Sequence, residues 1–504
     1  MGTTLKPEPI MTRKKLFLIL AATTALSALA LSAARARDVP KIATGFVANV
    51  LCTETFVSGL DPARVLAETT AAMPGTGLIT WAMDYHVDRA RKDVTVTLFG
   101  LGRSHAVWRG EGLGCYLDHG GAVADISLPA ADAKPALLPD IAGPSIVTPQ
   151  SPQLTAALDR AFAEPDKASP RHTRAVVVMK DGRVIAERYA DGVGIDTPLL
   201  GFSATKSVMS ALAGIMVRKG ELKLNEPVPI VAWQGANDPR RAITLDHLLR
   251  HTAGLALGSS LQASLASALE PVNRMKFVEA DMAAYAERMP LQTAPGTTWN
   301  YNDGNTVILG HLIRQAAGGS AAEMMRFAQQ ELFGPLGMRH VAIEFDASGN
   351  AEGSSQMLAS ARDWARFGQL YLNDGIVGGK RILPEGWVKY SSSPTPGAWA
   401  GMGAGFWTNQ GDSFGAAYRT ERGVPRDAFY AKGTIGQYVM IVPSEKLVIV
   451  RLGRSANWPG DADGVFQLVA DVIAATNVRA KLAGNVLDQF AVERLVDGDH
   501  DSPH

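Results

Sequence analysis

Cysteine is almost missing from this chain of 504 residues, which carries only Cys52 and Cys115. Neither stands in a setting that marks a nucleophile. Net charge is missing as well, because Lys plus Arg and Asp plus Glu both number 49. With no dense Lys/Arg run in the body of the chain, the long-range field that gathers nucleic acid or an acidic membrane surface is absent. No internal repeat, complete metal-binding motif or nucleotide loop is found. What the chain does have is 46% apolar residues, enough at this length for one large core and a second, smaller one.

The first long apolar run is at the N-terminus. Arg13, Lys14 and Lys15 precede the stretch Leu16 to Ala34, which ends in Ala34-Arg35-Ala36. That is the layout of a secretory signal peptide spanning residues 1–36, with a mature chain beginning near Arg37. Met11 offers an alternative start. An uncleaved anchor is the competing reading, since the run nearly suffices to span a bilayer; membrane association is expected only in that case. Export implies a periplasmic or secreted protein, and in such an oxidising compartment Cys52 and Cys115 are expected to form a disulfide rather than remain two unrelated buried thiols.

Residues 37–128 contain short β-prone runs, at 78–87, 94–99 and 105–108, broken by glycines, and read as a small β-rich module. Prolines recur at 129, 135, 139, 144, 149 and 152, which marks 129–152 as a linker or a strap over the surface. The main domain is assigned to 153–480, with a polar tail over 481–504. Within it, Ala175–Met179 and Arg183–Tyr189 flank the turn pair Asp181-Gly182, and Gln437–Val442 and Leu447–Leu452 flank Pro443-Ser444-Glu445-Lys446. Helical patterns fall at about 203–219, 245–251, 305–317, 321–332, 360–373 and 462–475. Strands at both ends with helices between predict an α+β fold, an antiparallel sheet flanked by helices plus a helical lobe.

Three stretches carry chemistry. Ser203-Ala204-Thr205-Lys206 opens an apolar helix that stops at Arg218-Lys219-Gly220, and the i, i+3 spacing puts hydroxyl and amine on one face of the first turn. A serine hydroxyl needs a base, and a lysine serves when burial and the helix N-terminus lower its pKa. About one Ser-x-x-Lys is expected by chance in a chain of this size, but this is the only one in the chain, and it opens an apolar helix instead of a polar surface one. Trp299-Asn300-Tyr301-Asn302-Asp303-Gly304-Asn305-Thr306 is a polar turn that delivers Tyr301 to a helix mouth, where a phenol can relay a proton; a half-buried packing tyrosine is the plainer reading. Lys432-Gly433-Thr434-Ile435-Gly436-Gln437 enters the late hairpin, where glycines let a strand approach a substrate and donate to an oxyanion.

In this order the three stretches resemble the serine β-lactamase and penicillin-binding-protein superfamily. The branch they are most similar to holds class C β-lactamases, esterases and nylon-oligomer (6-aminohexanoate-dimer) hydrolases. Leu248-Leu249-Arg250-His251-Thr252-Ala253-Gly254-Leu255, Pro335-Leu336-Gly337-Met338 and Ala361-Arg362-Asp363-Trp364-Ala365-Arg366-Phe367-Gly368 fit the same branch, and the likeness covers about residues 170–475. It implies a β-lactamase-like fold without a cofactor or metal. It further implies Ser203 as acylated nucleophile, Lys206 as its base, Tyr301 as proton shuttle, and the amides of Ser203 and Thr434 as oxyanion hole. Asp303, Gly433 and Gln437 are expected to line the substrate. Two departures stand out: class C enzymes have Tyr-x-Asn where this chain has Tyr301-Asn302-Asp303, and Lys-Thr-Gly where it has Lys432-Gly433-Thr434.

The expected activity is hydrolysis of a linear amide or small ester through an acyl-serine. The alternatives are a D-Ala-D-Ala peptidase or β-lactamase, and a non-catalytic sensor or scaffold that kept the fold. An Asp303 facing the cleft would hold Lys206 protonated unless another cation satisfied it, with Lys432 the candidate by motif position, or unless the substrate brought a cation. Poor hydrolysis of nitrocefin follows from that charge argument. His247 and His251 have zinc-helix spacing, but Leu248 occupies the glutamate position; a surface histidine and a helix-ending one are expected. Thr205 breaks a Gly-x-Ser-x-Gly elbow. Trp407, Tyr390 and Tyr418 are candidates for either pocket or core.

Overall fold

The computed structural model describes residues 37–477, apart from 74–75, 101, 129–134, 262–265 and 458. The expected signal or anchor segment and the polar tail lie outside the described residues. Among the described residues no helix is long and apolar enough to cross a membrane.

A six-stranded antiparallel sheet organises the main domain, in the order Trp407–Thr408, Phe429–Gly433, Gln437–Val442, Leu447–Gly453, Thr173–Lys180, Arg183–Tyr189. Both expected hairpins are present. The first turns on Asp181 and Gly182, both at positive φ (50° and 79°), the geometry that matches strand twist in a two-residue turn. The two hairpins then join, because Leu447–Gly453 pairs with Thr173–Lys180. Alternation of side chains across the strands splits the apolar residues into two layers. Val177, Met179, Val439, Ile441, Val448 and Val450 face the large core, whereas Val176, Val178, Met440, Val442, Leu447 and Ile449 face a second core under Pro152–Phe162 and the helix over 462–477. On the first face Ala361–Leu372 lies so close that a Cβ at Gly368 would stand 2.5 Å from Val448 Cγ1.

Of the Pro-rich segment, 129–134 lie outside the described residues, and 135–152 behave as a strap. The amides of Val184 and Glu187 on the outer strand donate to the carbonyls of Ile141 and Val147 at 2.9 Å each, and the Val147 amide donates to Glu187 Oε1 at 2.8 Å. An otherwise open sheet edge is thereby covered.

The N-terminal region departs from the β-rich expectation. It opens with two helices, over 37–56 and Pro62–Ala72, before a four-stranded meander of Met83–Asp88, Asp93–Leu98, Gly102–Gly110 and Gly114–Asp118. Nor is it a separate unit, since Val47, Val50, Leu51, Val94 and Val96 belong to the same buried cluster as Val208 and Leu212. The first helix is apolar around much of its circumference, so it lacks the one-sided period that identifies a surface helix. Cys52 on this helix and Cys115 on the last strand form a disulfide, with their Cα atoms 6.2 Å apart.

Candidate active site

Ser203 sits in a single 3₁₀ turn, Phe202–Ala204, that feeds the helix Thr205–Lys219. Gly220 ends that helix at φ 79°, as its sequence predicts. Of residues 201–216 only Ser203 is not fully buried, so the turn presents one hydroxyl from an otherwise sealed segment. The turn is over-determined. Phe202 is held at φ 45°, a conformation that a bulky residue keeps only when its surroundings enforce it. Thr205 Oγ1 donates to the Phe202 carbonyl at 2.7 Å and accepts from the Met357 amide at 3.1 Å. A Cβ at Gly201 would stand 2.4 Å from Trp364 Cζ2, and one at Gly433 would stand 2.1 Å from the Gly201 carbonyl. Gly433 thus lets the strand end, and Thr434 after it, lie beside the turn that carries Ser203.

Lys206 Nζ donates to Ser203 Oγ at 3.1 Å, to Asp303 Oδ1 at 2.7 Å and to the Ser354 carbonyl at 2.8 Å. Burial alone would favour the neutral amine, yet the Asp303 carboxylate overrides it and the pKa of Lys206 is raised. The expected downward shift is therefore corrected. Asp303 faces Lys206, as the charge argument supposed, but its second cation is Lys276, whose Nζ donates to Oδ2 at 3.0 Å. Between these two ammonium groups Asp303 is held far below the usual carboxylate range despite its burial.

Lys432 is placed elsewhere. On its strand it registers with Tyr438, and its Nζ lies 5.6 Å from the centre of the Trp407 ring and 5.5 Å from that of Tyr438. Burial, with Arg419 nearby, pushes it down to about 8.

Tyr301 is buried immediately before Asn302, which caps the helix Asp303–Ala316 by accepting from the Asn305 amide. Its ring centre stands 5.0 Å from Lys206 Nζ, 4.7 Å from the His251 ring and 5.6 Å from that of Trp407. His251 ends its helix at φ 58°, as its sequence position suggests, and is also fully buried behind Tyr301. Burial and the Lys206 cation push it down to about 3, which keeps it neutral. His247 instead completes a capping box with Thr244.

Gln437 is buried, and its side-chain amide is engaged within its own hairpin. Its Nε2 donates to the carbonyls of Gly453 at 2.6 Å and Thr434 at 3.2 Å, and its Oε1 accepts from the Gly453 amide, so the side chain clasps the hairpin. Tyr390 and Tyr418 donate to Asp246 and Asp463 and are structural; Trp407 packs on Tyr301. Lys276, Ser260 (whose Oγ accepts from the Asp303 amide at 3.0 Å) and Glu352 were not legible in the sequence. They come from separate segments that carry no motif.

The Beta-lactamase family model matches residues 158–474, and the chain belongs to the Beta-lactamase family of hydrolases. It is similar to an uncharacterised protein of Alkalihalophilus pseudofirmus, 24% identical over 336 residues that cover 59% of this chain and 87% of that one. It is also similar to 6-aminohexanoate-dimer hydrolase of Paenarthrobacter ureafaciens, 25% identical over 227 residues, 43% of this chain and 56% of that protein. Among solved structures, a candidate 6-aminohexanoate-dimer hydrolase from Bacillus anthracis has the same fold. It superposes with a TM-score of 0.52 at 21% identity, over 71% of this chain and 91% of that one.

Proposed function

We propose that this hydrolase acts through Ser203, cleaving linear amides or small esters by way of an acyl-serine. One observation carries the reading: the only incompletely buried side chain of 201–216 is a serine hydroxyl with a buried lysine amine 3.1 Å away. Ser203 Oγ bonds to the carbonyl carbon as its proton passes to the neutral form of Lys206. That proton passes on from Lys206 through Tyr301, packed on it, to the leaving nitrogen or oxygen as its bond to the carbonyl carbon breaks; water then adds to the acyl-serine, releasing the carboxylic acid and returning a proton to Ser203 Oγ. The amides of Ser203 and Thr434 are the proposed oxyanion donors. The Cys52–Cys115 bridge supports an exported protein.

A fluorophosphonate probe followed by peptide mapping tests the reading, with modification expected at Ser203. Ser203→Ala and Lys206→Ala should each lower turnover by several orders of magnitude with the fold retained. Tyr301→Phe should harm amides more than esters with good leaving groups. A screen of p-nitrophenyl esters, peptides, aminohexanoate oligomers and nitrocefin assigns the acyl group. Near-normal turnover by Ser203→Ala would sink the proposal.

A further inference from the structure

Lys276 projects from the short helix Pro271–Phe277 into the same buried cluster as Lys206, although nothing in its own segment marks it. Its Nζ donates to Asp303 Oδ2 at 3.0 Å and to Ser355 Oγ at 2.7 Å, and lies 3.6 Å from Glu352 Oε1. Glu352 is in turn fixed by Ser354 Oγ and by the amide and hydroxyl of Ser355, the last two at 2.8 and 3.0 Å. The Lys206, Lys276 and Asp303 side chains are 2, 11 and 10% exposed, so water screens none of these charges well. We infer that Lys276 is a positioning residue of the site: it divides Asp303 between two cations and thereby sets how readily Lys206 exchanges a proton with Ser203.

The inference rests on reading Ser203 and Lys206 as the reacting pair. A carboxylate held by Lys206 alone would fix that lysine as an ammonium, unable to accept the serine proton. Lys276 weakens that hold in two ways. It occupies the second oxygen of Asp303, and its own positive charge disfavours a second cation at Lys206.

Other groups face the pair. Tyr301 and the neutral His251 lie against Lys206. Glu344 and Asp346 line a cavity of about 20 Å³ with Lys276 and Glu352, and burial pushes them up to about 8 and about 6. Lys432 lies against Trp407.

The test is the pH profile of fluorophosphonate labelling at Ser203, measured alongside kcat/KM for any ester the screen finds. Lys276→Met should move the acid limb up by about one pH unit or more, so that labelling slows at neutral pH and recovers in alkali. Lys276→Arg should restore most of the wild-type profile. Asp303→Asn and Glu352→Gln should move the limb down, the second because Lys276 then bears on Asp303 alone; these two variants keep the test open if Lys276→Met does not fold. Glu344→Gln should leave the limb in place.

A folded Lys276→Met that loses labelling by one factor at every pH, or a Glu352→Gln limb that moves up, would overturn the inference. Absence of wild-type labelling at any pH would instead overturn the proposed nucleophile, and this inference with it. Normal labelling with a limb indifferent to Lys276 overturns this inference alone.

Discussion

Glu54 is the residue whose removal best tests how the N-terminal helices are joined to the domain. It lies near the end of the helix over 37–56 with no exposed surface. Both of its oxygens accept from Arg174 Nη1, at 3.0 and 2.8 Å, and Oε1 also accepts from Arg454. Arg174 reaches on to Glu68 at 2.7 Å, whose other oxygen accepts from the half-exposed Arg64 at 2.6 Å, so Glu54 is the one carboxylate bonded to both buried guanidinium groups, Arg174 and Arg454. Glu54→Ala leaves the buried Arg174 and Arg454 guanidinium groups without the carboxylate that joins them. Breaking a buried pair from one side costs about 3–5 kcal/mol. At the usual unfolding entropy per residue, a cooperative unit of this size has a ΔS near ~0.9 kcal/mol/K, so Tm should fall by about 3–5 °C.

Calorimetry and urea melts read the effect, with an unchanged m-value showing that stability alone has moved. The pH dependence has a definite sign. Burial raises the Glu54 pKa, but Arg174 and Arg454 overcome it and the net shift is downward. The stabilisation is therefore present above the ordinary glutamate pKa of 4.5 and is lost as the pH falls through the lower, folded value. Glu54→Ala should flatten that acid limb. A loss below about 1 kcal/mol, the size seen for an exposed ion pair, would refute the buried-network reasoning and with it the shared core.

Two further outcomes follow from the same geometry. Replacing Cys52 and Cys115 by alanine opens a loop of 63-residue separation and should cost about 4 kcal/mol by chain entropy; a melt within error of wild type, or free thiols in native protein titrated without reductant, would count against the bridge. Gly433→Val, whose Cβ would lie 2.1 Å from the Gly201 carbonyl, should push the strand end off the nucleophile turn and slow Ser203 labelling about tenfold or more with circular dichroism unchanged. Labelling at the wild-type rate would show that the close approach is not needed.

The elements readable in advance were those whose physics is local. Asp181-Gly182 specifies a hairpin by itself, and Gly220 behind Arg218-Lys219 specifies a helix end, because each needs only its own backbone angles and neighbours. Ser203, Lys206 and Tyr301 were singled out less by local physics than by the order of their motifs, which resembles one family; the structure brings Lys206 against both of the others. Lys276 was not singled out, because the chain brings it to Asp303 from 27 residues away and to Ser355 from 79. Motif position favoured Lys432 as the partner of Asp303, but its strand directs the side chain towards Trp407 and Tyr438. The helix over 37–56 escaped notice because a segment buried on most sides shows no period to read.

The pairing of Asp303 also changes what can be argued about the substrate. From sequence, a lone carboxylate in the cleft would have drawn a cationic group and repelled the carboxylate of a β-lactam. In the structure Lys206 and Lys276 already satisfy it at 2.7 and 3.0 Å, and with Glu352 beside Lys276 the cluster holds two positive and two negative charges. That cluster by itself leaves little field to select a substrate by the sign of its charge, although Lys432, against Trp407, adds a cation nearby. The surroundings of Tyr301 are aromatic: Trp407 and Trp299 pack on the small cluster of Tyr301, Ala398 and Met402. Trp399 crosses Trp299 edge-on at 6.2 Å and is itself 57% exposed. A substrate seated against these rings would gain most from an apolar acyl or leaving group laid flat on them. The sequence-based case against nitrocefin thus loses its electrostatic premise, and its turnover becomes a question of how a bicyclic ring fits against these four aromatic side chains.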